Sequence, residues 1–216
     1  MEYLFGDLIT FVPWIIFFYL RKDLRKEMLI MSIVSAPLAF FDLLYVPTYW
    51  RPVTLFNFPV GIEGLLLSFF IGGIAAVSYA EIFQKKLRKV LKYHKHFSFI
   101  VLLVIVPTAF LIKHFYPTNI SISMYLALLI GIALCILIRK DLLKSSIAGS
   151  ITFGVIYAVA LIIWSNLFPL TNNWFVLQGL PRIFLFNAPV YEIIFGFLFG
   201  AYWGNLYELF FGYRLK

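Results

Sequence analysis

The sequence predicts an all-α polytopic membrane protein: seven transmembrane helices arranged as two parallel three-helix repeats plus one connecting helix. Three observations carry this reading. Of 216 residues, 62% are apolar and only 13% are charged, which leaves too little polar surface for a soluble domain of this size. The apolar residues fall into runs of about 17 to 25, long enough to cross a hydrocarbon core of roughly 30 Å as helices. Finally, Leu55-Phe56-Asn57-Phe58-Pro59 with Glu63 returns as Leu185-Phe186-Asn187-Ala188-Pro189 with Glu192, and Arg21-Lys22-Asp23-Leu24 returns as Arg139-Lys140-Asp141-Leu142.

The seven runs extend from Leu4 to Leu20, Met28 to Val46, Pro59 to Phe83, Phe97 to Phe115, Ile120 to Ile138, Ser146 to Phe168 and Ala188 to Phe211. Each is too long and too uniformly apolar for a barrel strand, and an open strand edge finds no hydrogen-bond partner in lipid. Pro107 interrupts the fourth run, and Lys113 has to snorkel from its end. Residues 1–216 read as a single transmembrane domain, with repeat one over about 4–83, the connecting helix over about 97–115 and repeat two over about 120–211. Four crossings separate equivalent helices, so the two halves share one orientation about an axis along the membrane normal.

Charge orients the chain. The connectors Arg21 to Lys26, Lys85 to Lys95 and Arg139 to Lys144, with Arg214 and Lys216, hold fifteen of the eighteen Lys and Arg residues, all on one side of a seven-span chain. The positive-inside rule makes that side cytoplasmic and places the N-terminus outside, in the cell membrane. The net charge of +8 is spread between apolar runs rather than along one helix face, so it argues against a nucleic-acid partner. Met1-Glu2-Tyr3 lacks the basic region of a signal peptide, and the N-terminus is expected to be kept. Cys135 stands alone within an apolar run and behaves as a small hydrophobe.

Acids inside apolar runs are functional candidates, because burial is costly unless they face a cavity or a partner. Asp7 and Asp42 lie near the ends of the first two runs, and Glu63 and Glu192 about one turn inside the third and seventh. The bland alternative for each glutamate is a first-turn carboxylate held by free backbone N–H groups and the helix dipole. Superposing the Arg-Lys-Asp-Leu runs sets Asp42 opposite Ala160 and Asp7 opposite Tyr125, which biases any chemistry toward the first half. Arg51 and Arg182 are candidates to pair with these acids or with an anionic headgroup or diphosphate; interfacial anchoring is their alternative role. Trp50 and Trp174 fit an aromatic belt.

Gly64, Ser68, Gly72 and Ala76 in one half, with Gly196, Gly200 and Gly204 in the other, form small-residue stripes that permit close helix approach. The expected contact is between spans three and seven, and a homo-oligomer contact is the alternative. Tyr79, Glu81, Tyr207 and Glu208 read as structural residues at the basic face. His94, His96 and His114 join no metal-ligand pattern, and the sequence has no Gly-rich phosphate loop, nucleophile elbow or Asp-rich magnesium motif. Asn119-Ile120-Ser121 is a formal glycosylation sequon.

The order of these features resembles the membrane-embedded lycopene cyclase domain family in its duplicated form. The likeness covers Arg21 to Phe83 and Arg139 to Phe211. It is carried by Tyr49-Trp50-Arg51-Pro52, Gly61-Ile62-Glu63-Gly64, Phe69-Phe70-Ile71-Gly72-Gly73 and the stretch from Asn187 to Glu208. The family signature is Pro-x-Glu-Glu or Pro-x-Glu-Asp entering a Phe-rich helix. In the first copy Glu63 matches its first acid, Gly61 replaces the proline and Gly64 the second acid. In the second, Pro189 is present, Tyr191 takes the first acid position and Glu192 keeps the second.

The resemblance implies cofactor-independent cyclisation of a linear carotenoid or other isoprenoid end group. It assigns Glu63 as the acid, Glu192 as base or partner and Asp42 as a supporting group, with Arg51, Arg182, Asn57 and Asn187 in substrate binding. Membrane lipid and a hydrophobic isoprenoid are the implied partners. The rival readings are a non-catalytic protein that binds an isoprenoid or lipid, and a small transporter. A transporter would more naturally place its polar residues near the midplane.

Overall fold

The computed structural model describes residues 1–89, 95–115 and 119–215, with the side chains of residues 95–99 left out. His94 and Lys216 therefore lie outside the described residues, as do the side chain of His96 and part of the Lys85 to Lys95 connector. The chain is an all-α membrane fold. Its long elements are α1 (Glu2–Leu20), α2 (Arg25–Ser35), α4 (Ile62–Ile82), α5 (Lys95–Phe115), α6 (Ile120–Ile138), α7 (Leu143–Leu167) and α8 (Val190–Trp203); α3 (Asp42–Tyr45) and α9 (Leu206–Phe211) are short. Among the described residues six stretches are long and apolar enough to cross a membrane. The chain is an integral membrane protein.

Three helix boundaries differ from the apolar runs, each for a local reason. The second span starts at Arg25, and Pro37, which cannot donate to the helical ladder, sits in a 3-10 segment (Ala36–Phe41) that leads into α3. The third starts at Ile62, with Gly61 in extended conformation as its cap, so Pro59 lies outside the helix. The seventh starts at Val190 and shifts from α8 to α9 at Gly204 and Asn205. By contrast, α5 runs through Pro107 without a break.

Glycines decide which helices touch. A Cβ on Gly72 would collide with Ser35 Oγ, which donates to Ser68 O at 2.7 Å, so α4 lies tightly on α2. A Cβ on Gly200 would stand 2.6 Å from Gly149 O, so α8 lies equally close to α7. The small-residue stripes thus mainly join each third span to the second span of its own half. Contact between α4 and α8 is confined largely to the region where a Cβ on Gly204 would come 3.2 Å from Ala75 O. Ser78 Oγ and Thr152 Oγ1, 3.0 Å apart, add a buried hydrogen bond between α4 and α7.

At the basic face two arginines are held in the same way. Arg21 forks onto Asp23 and donates to Ala80 O and Lys85 O (2.9 and 2.6 Å). Arg139 forks onto Asp141 and donates to Glu208 O and Tyr213 O (3.0 and 2.9 Å). Beneath them β1 (Leu87–Lys89) pairs antiparallel with β4 (Tyr213–Leu215), Leu87 opposite Leu215. At the opposite face β2 (Phe184–Leu185) and β3 (Ala188–Pro189) form a small hairpin.

Candidate functional site

A cavity of about 220 Å³ is lined by residues of both halves of the chain. Ligand pockets typically run from about 300 Å³ upward, so this one fits the end of a long molecule rather than the whole of it. Its deeper walls are hydrocarbon and aromatic, including Ile71, Leu128, Phe195, Phe199 and Trp203. Asp42, Glu192, Tyr3, Tyr49, Trp50 and Tyr157 form the polar end.

The 3-10 segment at Pro37 carries Asp42 to this end. Trp50 Nε1 donates to Asp42 Oδ1 at 3.2 Å. The other oxygen, Oδ2, lies 3.1 Å from where a Cβ on Gly64 would stand; Ala39 Cβ and Tyr3 OH are each 3.5 Å from the same point. Glu192 sits in the first turn of α8 behind the extended Pro189. Tyr49 OH donates to its Oε1 at 2.7 Å and Tyr157 OH to its Oε2 at 3.0 Å. Tyr125 OH donates to Tyr191 O at 2.6 Å, bracing that same turn.

Two connectors from opposite halves cover the polar end. Trp50 bridges to Phe175, Arg51 N–H donates to Trp174 O (2.7 Å), and Val176 and Leu177 N–H both donate to Tyr49 O (2.8 and 3.0 Å). Tyr49 is thereby fixed where its hydroxyl meets Glu192. Trp174, expected in the aromatic belt, is buried against Tyr3 and Trp164 (ring centroids 6.4 and 5.8 Å).

The other residues expected in the site lie elsewhere. Glu63 is buried but not on the cavity wall; its Oε1 accepts from Leu55 N–H at 2.6 Å, tying the Thr54–Gly61 connector to α4. It is neither a cavity acid nor a cap on its own helix. Its electrostatic neighbour is Asp7, also buried and off the cavity wall.

Arg51 and Arg182 are exposed: Arg51 Nε donates to Pro47 O (3.2 Å), and the Arg182 guanidinium lies 5.9 Å from the Phe184 ring centroid. Asn57 and Asn187 are exposed turn residues with φ of 56° and 65°, a left-handed conformation asparagine tolerates. None of these four lines the cavity. Among the described residues, no three His, Cys, Asp or Glu side chains stand together as a metal site.

Sequence reasoning missed Tyr3, Tyr49 and Tyr157, and read Trp50 as an interfacial residue. The available signal was chemical: a tyrosine hydroxyl in an apolar run needs a hydrogen-bond partner, and the carboxylates were the obvious acceptors.

No curated protein and no solved structure matches the chain. Residues 119–210, from the start of α6 to the end of α9, match the family model described as lycopene cyclase. Over those residues, less than half of its length, this integral membrane protein is similar to the lycopene cyclases.

Proposed function

We propose that this protein isomerises the end group of a linear isoprenoid, of the carotenoid kind, by acid–base cyclisation in the cavity between its halves. The observation that carries this reading is the meeting of two carboxyl groups from opposite halves, Asp42 and Glu192, at one end of an otherwise apolar cavity. Asp42 supplies the proton, because it lines the cavity and Trp50 occupies only one of its oxygens. The proton forms a C–H bond at the terminal double bond, and the cation left on the neighbouring carbon is attacked by a second double bond, closing a six-membered ring. A base then removes a proton and restores a double bond. The product is an isomer of the substrate, so no oxidant or co-reactant is consumed.

Glu192, held from both sides by tyrosine hydroxyls, is the fixed negative charge beside the cation and the base that ends the reaction. The aromatic faces of Phe195, Phe199 and Trp203 suit a passing cation.

A tandem duplication underlies this arrangement. Ala80 and Lys85 follow Ser68 at the distances at which Glu208 and Tyr213 follow Gly196, and these are the carbonyls that Arg21 and Arg139 reach. Leu87 and Leu215 are equivalent by the same count and pair with each other, as expected if the twofold axis passes between them. By this count Gly64 corresponds to Glu192, and by the count from the Arg-Lys-Asp-Leu runs Ala39 corresponds to Tyr157. Asp42 reaches into the space left by the two small residues, so it stands in for the acid that the first copy lacks. The basic face is cytoplasmic under the positive-inside rule, and the carboxyl pair lies toward the outer leaflet.

A second reading, binding of an isoprenoid without turnover, draws support from the loss of paired acids at Glu63-Gly64 and Tyr191-Glu192. Expression in cells that accumulate a linear carotenoid, followed by pigment chromatography, separates the two. Ring-bearing product that vanishes in Asp42→Asn and Glu192→Gln supports the cyclase; linear pigment that co-purifies unchanged supports the binder.

A further inference from the structure

We infer that the cavity is entered sideways from the bilayer, through a mouth between the 3-10 segment Ala36–Phe41 and α5, and that it takes a long hydrocarbon chain by one end only. This rests on the reading of the cavity as an isoprenoid end-group site and adds how the molecule reaches it.

The two flanks of the cavity are built differently. On one flank α1 packs on α7, because Gly6 leaves room for Trp164. A Cβ at Gly6 would stand 3.1 Å from Trp164 Nε1, which donates to Glu2 O at 2.8 Å. That flank is shut by a ring. In the alignment of the two copies, the corresponding positions on the other flank are Met124 and Val46, which cannot repeat this seal. There α5 lies on α6 and α9, while the 3-10 segment lies on α4, so the facing walls belong to elements anchored to different neighbours.

Leu38 and Phe41 from the 3-10 segment and Leu102 and Val106 from α5 all belong to the cavity lining. Leu38, Phe41 and Leu102 are half-buried, and Val106 is 44% exposed, so this wall is shared between cavity and lipid. No charged or hydrogen-bonding side chain stands among these four. A mouth of this composition passes hydrocarbon and offers nothing to replace the water of a polar headgroup.

Depth and volume fix the occupant. The cavity is too small for a chain of tens of carbons, and its two carboxyl groups lie at the polar end, beneath the paired connectors. A molecule whose end reaches Asp42 and Glu192 must leave the rest of its length in the mouth and in the bilayer. The site therefore handles one terminus per binding event and takes no interest in what lies at the other end.

The test uses the full chain purified from membranes of cells that accumulate a linear forty-carbon polyene, with co-purified polyene, linear and cyclised counted together, read per protein by absorbance. Val106→Trp and Leu102→Trp should lower retained polyene at least tenfold. Leu103→Trp, one residue away but 58% exposed and off the lining, should leave it unchanged. Equilibrium dialysis with geraniol, a ten-carbon acyclic terpene, should give the wild-type value in Leu103→Trp and a far smaller loss than the polyene shows in Val106→Trp and Leu102→Trp. Full polyene retention in the Val106→Trp and Leu102→Trp variants overturns the mouth while the end-group reading stands. If those variants lose geraniol as well, Val106→Ala decides: a widened mouth must hold the polyene at least as well as the wild type, and a loss there overturns the inference. A wild type that binds geraniol but no polyene also overturns it, and one that binds neither removes the end-group reading with it.

Discussion

Asp42 Oδ2 lies 3.1 Å from the point at which a Cβ on Gly64 would begin. The two positions therefore compete for one space, and a carboxyl group can be delivered there from either. Asp42→Ala should abolish ring formation, and Asp42→Ala with Gly64→Asp should restore part of it, at least tenfold above the single variant. Pigment chromatography reads both, and a double variant as inactive as the single one would sink the stand-in role.

Glu63 makes a different prediction from the acids in the cavity. It accepts from Leu55 N–H at 2.6 Å and holds a connector. Glu63→Gln keeps an acceptor there and should leave pigment chemistry unchanged. Glu63→Leu should lower stability by about 1–3 kcal/mol, the usual cost of leaving a buried donor without its acceptor. Thermal unfolding in detergent measures the second effect; loss of turnover in a stable Glu63→Gln variant would return Glu63 to the chemistry.

At the crossing of α7 and α8, a Cβ on Gly200 would stand 2.6 Å from Gly149 O and 2.9 Å from Phe153 Cβ. Backbone cannot step aside as a flexible side chain can, so Gly200→Ala should cost about 1–3 kcal/mol. The melting temperature of the purified protein reports it, and an unchanged value would mean that α8 has room to move.

Acid should weaken the basic face. The hydrogen bond from Arg21 holds the Asp23 carboxyl below its ordinary range, with burial opposing this more weakly. A depressed group stabilises the fold above its unfolded value of about 4, and that contribution fades as pH falls through the lower folded value. Half of the Asp23 side chain is exposed, so the effect is small. Melting temperature followed downward from pH 5 should fall less steeply in Asp23→Asn than in the wild type.

Much of this molecule was legible in its sequence because hydrocarbon leaves few alternatives. Helix content and approximate spans follow from local composition and spacing. Asp42 and Glu192 were visible as acids in apolar runs. Their surroundings were not, because Tyr49 reaches Glu192 only after connectors from opposite halves have paired, and no spacing within one span encodes that contact. Glu63 looked like the stronger candidate because it matched a signature position. Its environment depends on how Leu55 folds back, which a motif does not state. Arg51, Arg182, Asn57 and Asn187 are exposed and off the cavity lining, and repetition along the sequence does not state which way such residues face.

The opposing walls of the cavity, Ala39 and Gly64 on one side and Tyr157 and Glu192 on the other, also bear on stereochemistry. A flat polyene has two prochiral faces, and a group that stands on one side of it can react with that face alone. Here one face meets two small residues and an aspartate, and the other a tyrosine bonded to a glutamate. A proton arriving from Asp42 reaches a single prochiral face, so any stereocentre set in this cavity carries one configuration.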